Sequence, residues 1–129
     1  TSEYIDHPGW KMDITRAGDA AVDRLSSMNW DLTVWNALLQ ESQTFGRMSK
    51  MLEEPSRQSM LASVQSVLNE LELQASTRAR LCMLGTSCVL LPAKANKPLN
   101  EEDLMLISQH LESINLDSVV TRVAPQRNV

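Results

Sequence analysis

The stretch NELELQASTRARL, residues 69–81, decides how the chain divides, because its character changes within a few positions. Glu70, Leu71, Glu72 and Leu73 alternate acid with leucine, small and hydroxyl residues follow, and Arg78 and Arg80 then flank Ala79. Ser76 or Thr77 is suited to cap a new short helical turn just where the preceding helix ends. The stretch therefore reads as a structural elbow. Arg78 and Arg80, two positions apart, do not share a helix face, so they are expected to pair with Glu70, Glu72 or a neighbouring subunit rather than to act together on DNA.

Upstream of the elbow the apolar residues recur at three and four positions. Leu61, Val64, Leu68 and Leu71, widened by Met60 and Val67, predict a helix over 56–73. Leu32, Trp35, Leu38, Leu39, Phe45, Met48 and Leu52 predict a long helix over 31–54, capped by Asn29 or Asp31. Pro55 disfavours helical angles before it and is tolerated just after it, so the two helices are expected to fold back as an antiparallel hairpin. Before them, Ile14, Ala17, Ala21, Leu25 and Met28 mark a helix over 13–27, preceded by an arm anchored on Tyr4 and Trp10.

Downstream the period shortens. GTSCVLLPA carries a short β-branched and apolar run between Gly85 and Pro92, which suggests a strand, and DSVVTRVAP, residues 117–125, suggests a second. Asn100 followed by Glu101, Glu102 and Asp103 predicts the start of a helix over 101–115, with Leu104, Ile107, Leu111 and Ile114 as its stripe. The fold class expected is mainly α: a long antiparallel helical hairpin with short C-terminal β-strands and one further helix. Three segments result: an arm and helix over 1–30, the hairpin over 31–81, and a strand-helix-strand region over 82–129.

Composition bounds the function. A chain of 129 residues is one domain by default, and with aromatics at 4% against seven methionines its packing must be aliphatic. A formal net charge of -4 argues against an all-over cationic coat, so any nucleic-acid contact must be a local patch. No apolar run approaches the roughly 18 to 20 residues that span a bilayer, and TSEYIDHPGW does not read as a signal peptide, so a soluble, intracellular protein is expected. Cys82 and Cys88 lack the ligand spacing of a zinc site and read as reduced, buried small hydrophobes.

The chemistry of catalysis is thinly represented. There is no phosphate-binding GxxxxGK[ST] or GxGxxG, and four glycines leave little means of wrapping a nucleotide. His7 and His110 are far apart, and the carboxylates at Glu53-Glu54, Glu70 with Glu72, and Glu101-Glu102-Asp103 are explained by helix ends and solvated faces. No catalytic residue, metal site or cofactor is expected. The first helix, the SSMN turn and the next helix imitate a helix-turn-helix, but residues 31–36 hold no Lys or Arg, which makes a poor recognition helix. Lys11, Arg16 and Arg24 are the first candidates for phosphate contact, and Arg47 and Lys50, near Arg57 at the hairpin tip, the second.

Two helices bury one seam, and the stripes here are wider than a seam. The surplus, comprising Trp35, Met48, Met51, Met60, Leu61, Val64, Leu68 and Leu71, together with Arg78 and Arg80, is the candidate oligomer interface. An alternative use of the Met-rich face is that of a helical adaptor or scaffold docking a protein partner.

The run PSRQSMLASVQSVLNELELQASTRARL, residues 55–81, resembles a region of phage terminase small subunits in which an apolar-periodic helix precedes an (S/T)xRARL-type segment. The WxxLLQES-type helix before it is compatible, so the likeness spans residues 32–81. It implies a DNA-packaging subunit of a tailed double-stranded-DNA phage in the host cytoplasm. Such a subunit forms a ring of about eight to twelve copies, binds viral DNA and regulates the large terminase subunit that holds the ATPase and nuclease. Helices 31–54 and 56–73 would form the ring wall, and residues 88–91 would supply barrel strands. The helix at 101–115 and an N-terminal module without the usual basicity depart from the pattern.

Overall fold

The computed structural model describes residues 2–31, 33–82 and 85–122. Leu32 of the expected stripe, the part of the expected second strand beyond Arg122, and the APQRNV tail lie outside them. The chain is mainly helical with one small antiparallel sheet: α1 is Ser2–Ile5, α2 Trp10–Ser26, α3 Val34–Met48, α4 Pro55–Glu70, β1 Thr77–Leu81, β2 Cys88–Pro92 and α5 Glu101–Ser113.

Helix α2 begins earlier than its stripe suggested, straight after Gly9, which takes φ 83° and whose carbonyl accepts from the Asp13 amide at 3.0 Å. It ends at Ser26, so Met28, placed on the stripe by periodicity, is exposed. Ala17 is buried, and α2 packs along α3. Arg24 ties the pair together by donating from Nε and Nη2 to the two Glu41 carboxylate oxygens at 2.6 and 2.7 Å. At the start of α3, Asp31 accepts from the Thr33 amide at 2.8 Å and the Thr33 hydroxyl at 2.5 Å, so the expected capping residue serves one turn ahead of the helix.

The long helix expected over 31–54 is interrupted. It stops at Met48, Lys50 adopts a left-handed φ of 65°, and a single 3₁₀ turn, Met51–Glu53, leads to Glu54 and Pro55. The cause is Ser49, fully buried, whose hydroxyl donates to the Gly46 carbonyl at 3.3 Å and accepts from the Met51 amide at 3.4 Å, replacing helix bonds. Pro55 then occupies the first helical position of α4. The expected antiparallel pair of α3 and α4 is not the packing observed: the helices that pack lengthwise are α2 and α3, while α4 packs on the 3₁₀ turn, β1 and α5.

Helix α4 ends at Glu70 rather than 73. The Glu72 amide bonds the Asn69 carbonyl at 3.1 Å and the Leu73 amide bonds the Leu68 carbonyl at 2.9 Å, with Glu72 at φ 58°. This is a Schellman termination, in which a left-handed residue turns the chain and the next apolar residue returns to the core. The acid-leucine alternation of the elbow is that cap. Helix α5 closes identically: Asn115 at φ 63° bonds Glu112 at 3.0 Å, and Leu116 bonds Leu111 at 2.9 Å. Leu73 and Leu116 both pack against the core.

No helical turn starts at Ser76 or Thr77. Thr77–Leu81 is a strand, paired with β2 in the register Thr77 to Pro92 through Leu81 to Cys88. Two short strands in residues 82–129 are expected to pair with each other or with strands of neighbouring subunits, but residues 117–122 form no strand, and the partner of β2 comes from the elbow. One sheet face, carrying Ala79, Leu81, Cys88 and Leu90, packs on a core of Met60, Val64, Val67, Leu68, Ile107 and Leu111. The Asn100 side chain caps α5 as expected, accepting from the Asp103 amide at 2.8 Å.

Candidate nucleic-acid interface and the N-terminal clasp

The cations divide by what already neutralises them. Lys11, Arg16 and Arg47 are exposed, and no carboxylate of the described residues lies within ion-pair distance of them. Lys11 leans over the Trp10 ring, 5.6 Å from its centroid. Arg24 is bound at both ends to Glu41, which raises its pKa through that hydrogen bond and leaves little attraction for a phosphate. Lys50 lies 3.6 Å from Asp13. Arg16 and Arg24, eight positions apart, are about 80° apart around α2, so the first candidate set does not form one stripe.

The arginines of the elbow serve the subunit itself. Arg80 donates from Nε to the Leu39 carbonyl at 2.9 Å and the Ser42 hydroxyl at 3.1 Å, which ties β1 to α3. Arg78 donates to the carbonyls of Gln74 at 2.8 Å and Thr77 at 3.1 Å, closing the turn before its own strand. Neither pairs with Glu70 or Glu72, contrary to expectation, because they stand on a strand and not on a helix continuing from those acids.

The apolar interface set is also redistributed. Met51, Met60, Val64 and Leu68 are buried within the chain, so their surface is spent internally, and Leu61 and Leu71 pack partly against the same core with one flank left outward. Trp35 is half-buried and donates from its indole nitrogen to the Pro92 carbonyl at 2.9 Å. Met48, 44% exposed, is the one member of the set among the large exposed apolar residues. Other exposed apolar residues, Trp30, Val89, Met105 and Val119, lay outside the expected set.

Sequence reasoning passed over the cluster at the junction of α3 and α4. Tyr4, anchored as expected, donates to the Ser49 carbonyl at 2.5 Å, and its ring meets His7 edge-on at 4.8 Å. His7 Nε2 lies 3.2 Å from Asp13 Oδ2. That hydrogen bond, with Lys50 nearby, holds the Asp13 carboxyl below its ordinary value, while burial pushes the Tyr4 phenol up. Beneath Tyr4 lies Arg57, with none of its side chain exposed, its Nε 3.3 Å from Glu54 Oε2. A fully buried arginine has no signature in a sequence; only the Tyr4 anchor hinted at a cover.

Two apolar grooves remain. One, of about 380 Å³, lies between α4, β2, α5 and the extended residues 116–121, with Cys88 and Asp117 as its ionisable lining. The other, of about 310 Å³, lies between α2, α3 and β1, where Glu41 is already held by Arg24. Cys88, paired with Leu81 at the end of the ladder, and Cys82, which follows β1, are free, half-buried thiols, and burial first, then Cys82, pushes the Cys88 thiol up. Among the described residues no three His, Cys, Asp or Glu side chains gather as metal ligands, and no helix is long and apolar enough to cross a membrane. No protein-family model, curated protein or solved structure matches this chain.

Proposed function

We propose that the chain is a non-catalytic DNA-packaging subunit of a tailed double-stranded-DNA phage, acting in the host cytoplasm. It binds viral DNA as an oligomeric ring and regulates the large terminase subunit. The observation that supports DNA contact is that three of the five candidate cations, Lys11, Arg16 and Arg47, are exposed with no carboxylate partner among the described residues, on an otherwise acidic chain. The likeness of residues 55–81 to terminase small subunits supports the packaging role. With Met51 and Met60 buried, the adaptor reading loses most of its Met-rich face.

A ring wall in this reading uses Met48, the exposed flanks of Leu61 and Leu71, and the outer edges of the two-stranded sheet, which is marginal alone. Native mass spectrometry should show a closed oligomer of about eight to twelve copies. Fluorescence anisotropy with a duplex should show affinity falling steeply with salt, and a joint Lys11→Ala, Arg16→Ala, Arg47→Ala variant should flatten that slope by about three contacts. A monomer that ignores duplex DNA at low salt overturns the reading.

A further inference from the structure

Arg57 is placed against three physical preferences at once. Its side chain is 0% exposed, it stands in the first turn of α4 where the helix dipole repels a cation, and none of Nε, Nη1 and Nη2 has a hydrogen-bond acceptor among the described residues, Glu54 being an ion-pair neighbour only. Glu54 compensates only one side: its carboxylate lies beside Nε at 3.3 Å, orienting the guanidinium and leaving its outer fork unanswered. What closes over the guanidinium is Tyr4, with the Arg57 Cζ 5.7 Å from the ring centroid.

The cover is short: helix α1 has four residues, and Tyr4 meets the body through its hydroxyl on the Ser49 carbonyl, its ring on Arg57 and its ring against Trp10, while His7, just beyond the helix, reaches Asp13. Behind it, Gly9 takes φ 83° in open space, with nothing within 4 Å of where a Cβ would stand, which is the geometry of a hinge between strap and α2.

We propose that Arg57 is a masked phosphate contact, and that residues 2–8 form a strap whose displacement of Tyr4 opens its guanidinium fork to a DNA phosphate. The inference deepens the DNA-binding reading above and rests on it. A guanidinium held at Nε by a carboxylate presents two parallel N–H donors, the arrangement that takes a phosphate bidentately. Unmasked, Arg57 lies at the same junction as Lys50, which adds positive charge, while Glu54 beside Arg57 and Asp13 beside Lys50 limit the site to one contact. Opening exchanges a buried guanidinium whose Nη donors are unanswered for one whose fork is hydrogen-bonded, which lets DNA itself favour the open strap.

The test compares the full chain with its Tyr4→Ala variant. Phenylglyoxal labelling mapped by peptide mass should leave Arg57 protected in the parent and modify it at least about tenfold faster in the variant, as loss of its cover requires. Anisotropy with the same duplex should show tighter binding by Tyr4→Ala, with the salt slope steeper by about one contact. Adding Arg57→Gln should return affinity and slope to the parent's; if that double variant does not fold, the slope of the single variant decides. Arg57 equally protected in Tyr4→Ala, or labelled with no gain in affinity, overturns the inference. So does competition by polyglutamate as effective as by unlabelled duplex, which would make the partner an acidic protein. A parent that does not bind DNA counts against the packaging reading; a Tyr4→Ala variant that gains nothing counts against the mask.

Discussion

Arg78 and Arg80 stand two residues apart on β1 and so share a side of the strand, yet only Arg80 reaches another element. Its bonds to Leu39 and Ser42 are charge-assisted and half-buried, whereas those of Arg78 stay within its own turn. Arg80→Ala should therefore cost about 1–3 kcal/mol in urea denaturation, and Arg78→Ala well under half of that. Equal losses would mean that the link to α3 contributes nothing of its own. The carboxylates supply a pH dependence. Arg24 holds Glu41 below its ordinary 4.5, and His7 holds Asp13 below its ordinary 3.8. A depressed carboxyl contributes stability that is complete above its unfolded value and lost as pH falls through its folded one. Thermal stability should hold from neutrality to about pH 5 and fall below about pH 4. Glu41→Gln should melt below the parent at neutral pH, with the gap closing in acid; a gap that persists there would assign the effect to packing.

At the scale of elements, α4 and α5 stop by the same device with different residues. LNELEL and LESINL, residues 68–73 and 111–116, share the leucines that the motif returns to the core, and each puts a left-handed residue one step before the last leucine. In α5 that residue is Asn115, which tolerates the conformation; in α4 it is Glu72, exposed and without that tolerance. Glu72→Gly should stabilise the protein by about 0.5–1 kcal/mol, and Asn115→Gly by less, read from shifts in denaturation midpoint at constant m. This also explains what the sequence made legible. Apolar periodicity located every long helix and Asn100 marked a true cap, because those signals are local. The ends at Met48 and Glu70 were hidden, since lysine and glutamate occupy the left-handed positions where glycine would have announced a stop. β1 was hidden because Arg and Ala have little strand preference; pairing with β2 decides it, and pairing is not local. For the same reason the burial of Arg57 and the Glu41 partner of Arg24 were invisible, though the exposed cations Lys11, Arg16 and Arg47 were not.

The whole molecule has two packed parts, α2 with α3 before Pro55, and α4 with α5 and the sheet after it. Besides the chain itself, the 3₁₀ turn and the Tyr4 ring on Arg57, they are joined by β1 against α3, where Arg80 holds the Leu39 carbonyl and the Trp35 indole holds the Pro92 carbonyl. The positions of the tryptophans make this join testable. Trp10, Trp30 and Trp35 all precede Pro55, so intrinsic fluorescence reports the first part and, through Trp35, its join to the second, while far-ultraviolet circular dichroism reports the helices of both. In the parent the two signals should change together, as one cooperative unit requires. Trp35→Phe removes its indole donor and Arg80→Ala removes the guanidinium, each loss of about 1 kcal/mol or more falling on the same join. In the double variant the fluorescence transition, now carried by Trp10 and Trp30, should precede the dichroism transition, and amide exchange should open in α2 and α3 before α4. Coincident transitions in the double variant would show that the covalent link, the 3₁₀ turn and the Tyr4 ring on Arg57 suffice to couple the parts, and that the two hydrogen bonds between the sheet and α3 are not what makes the chain fold as one.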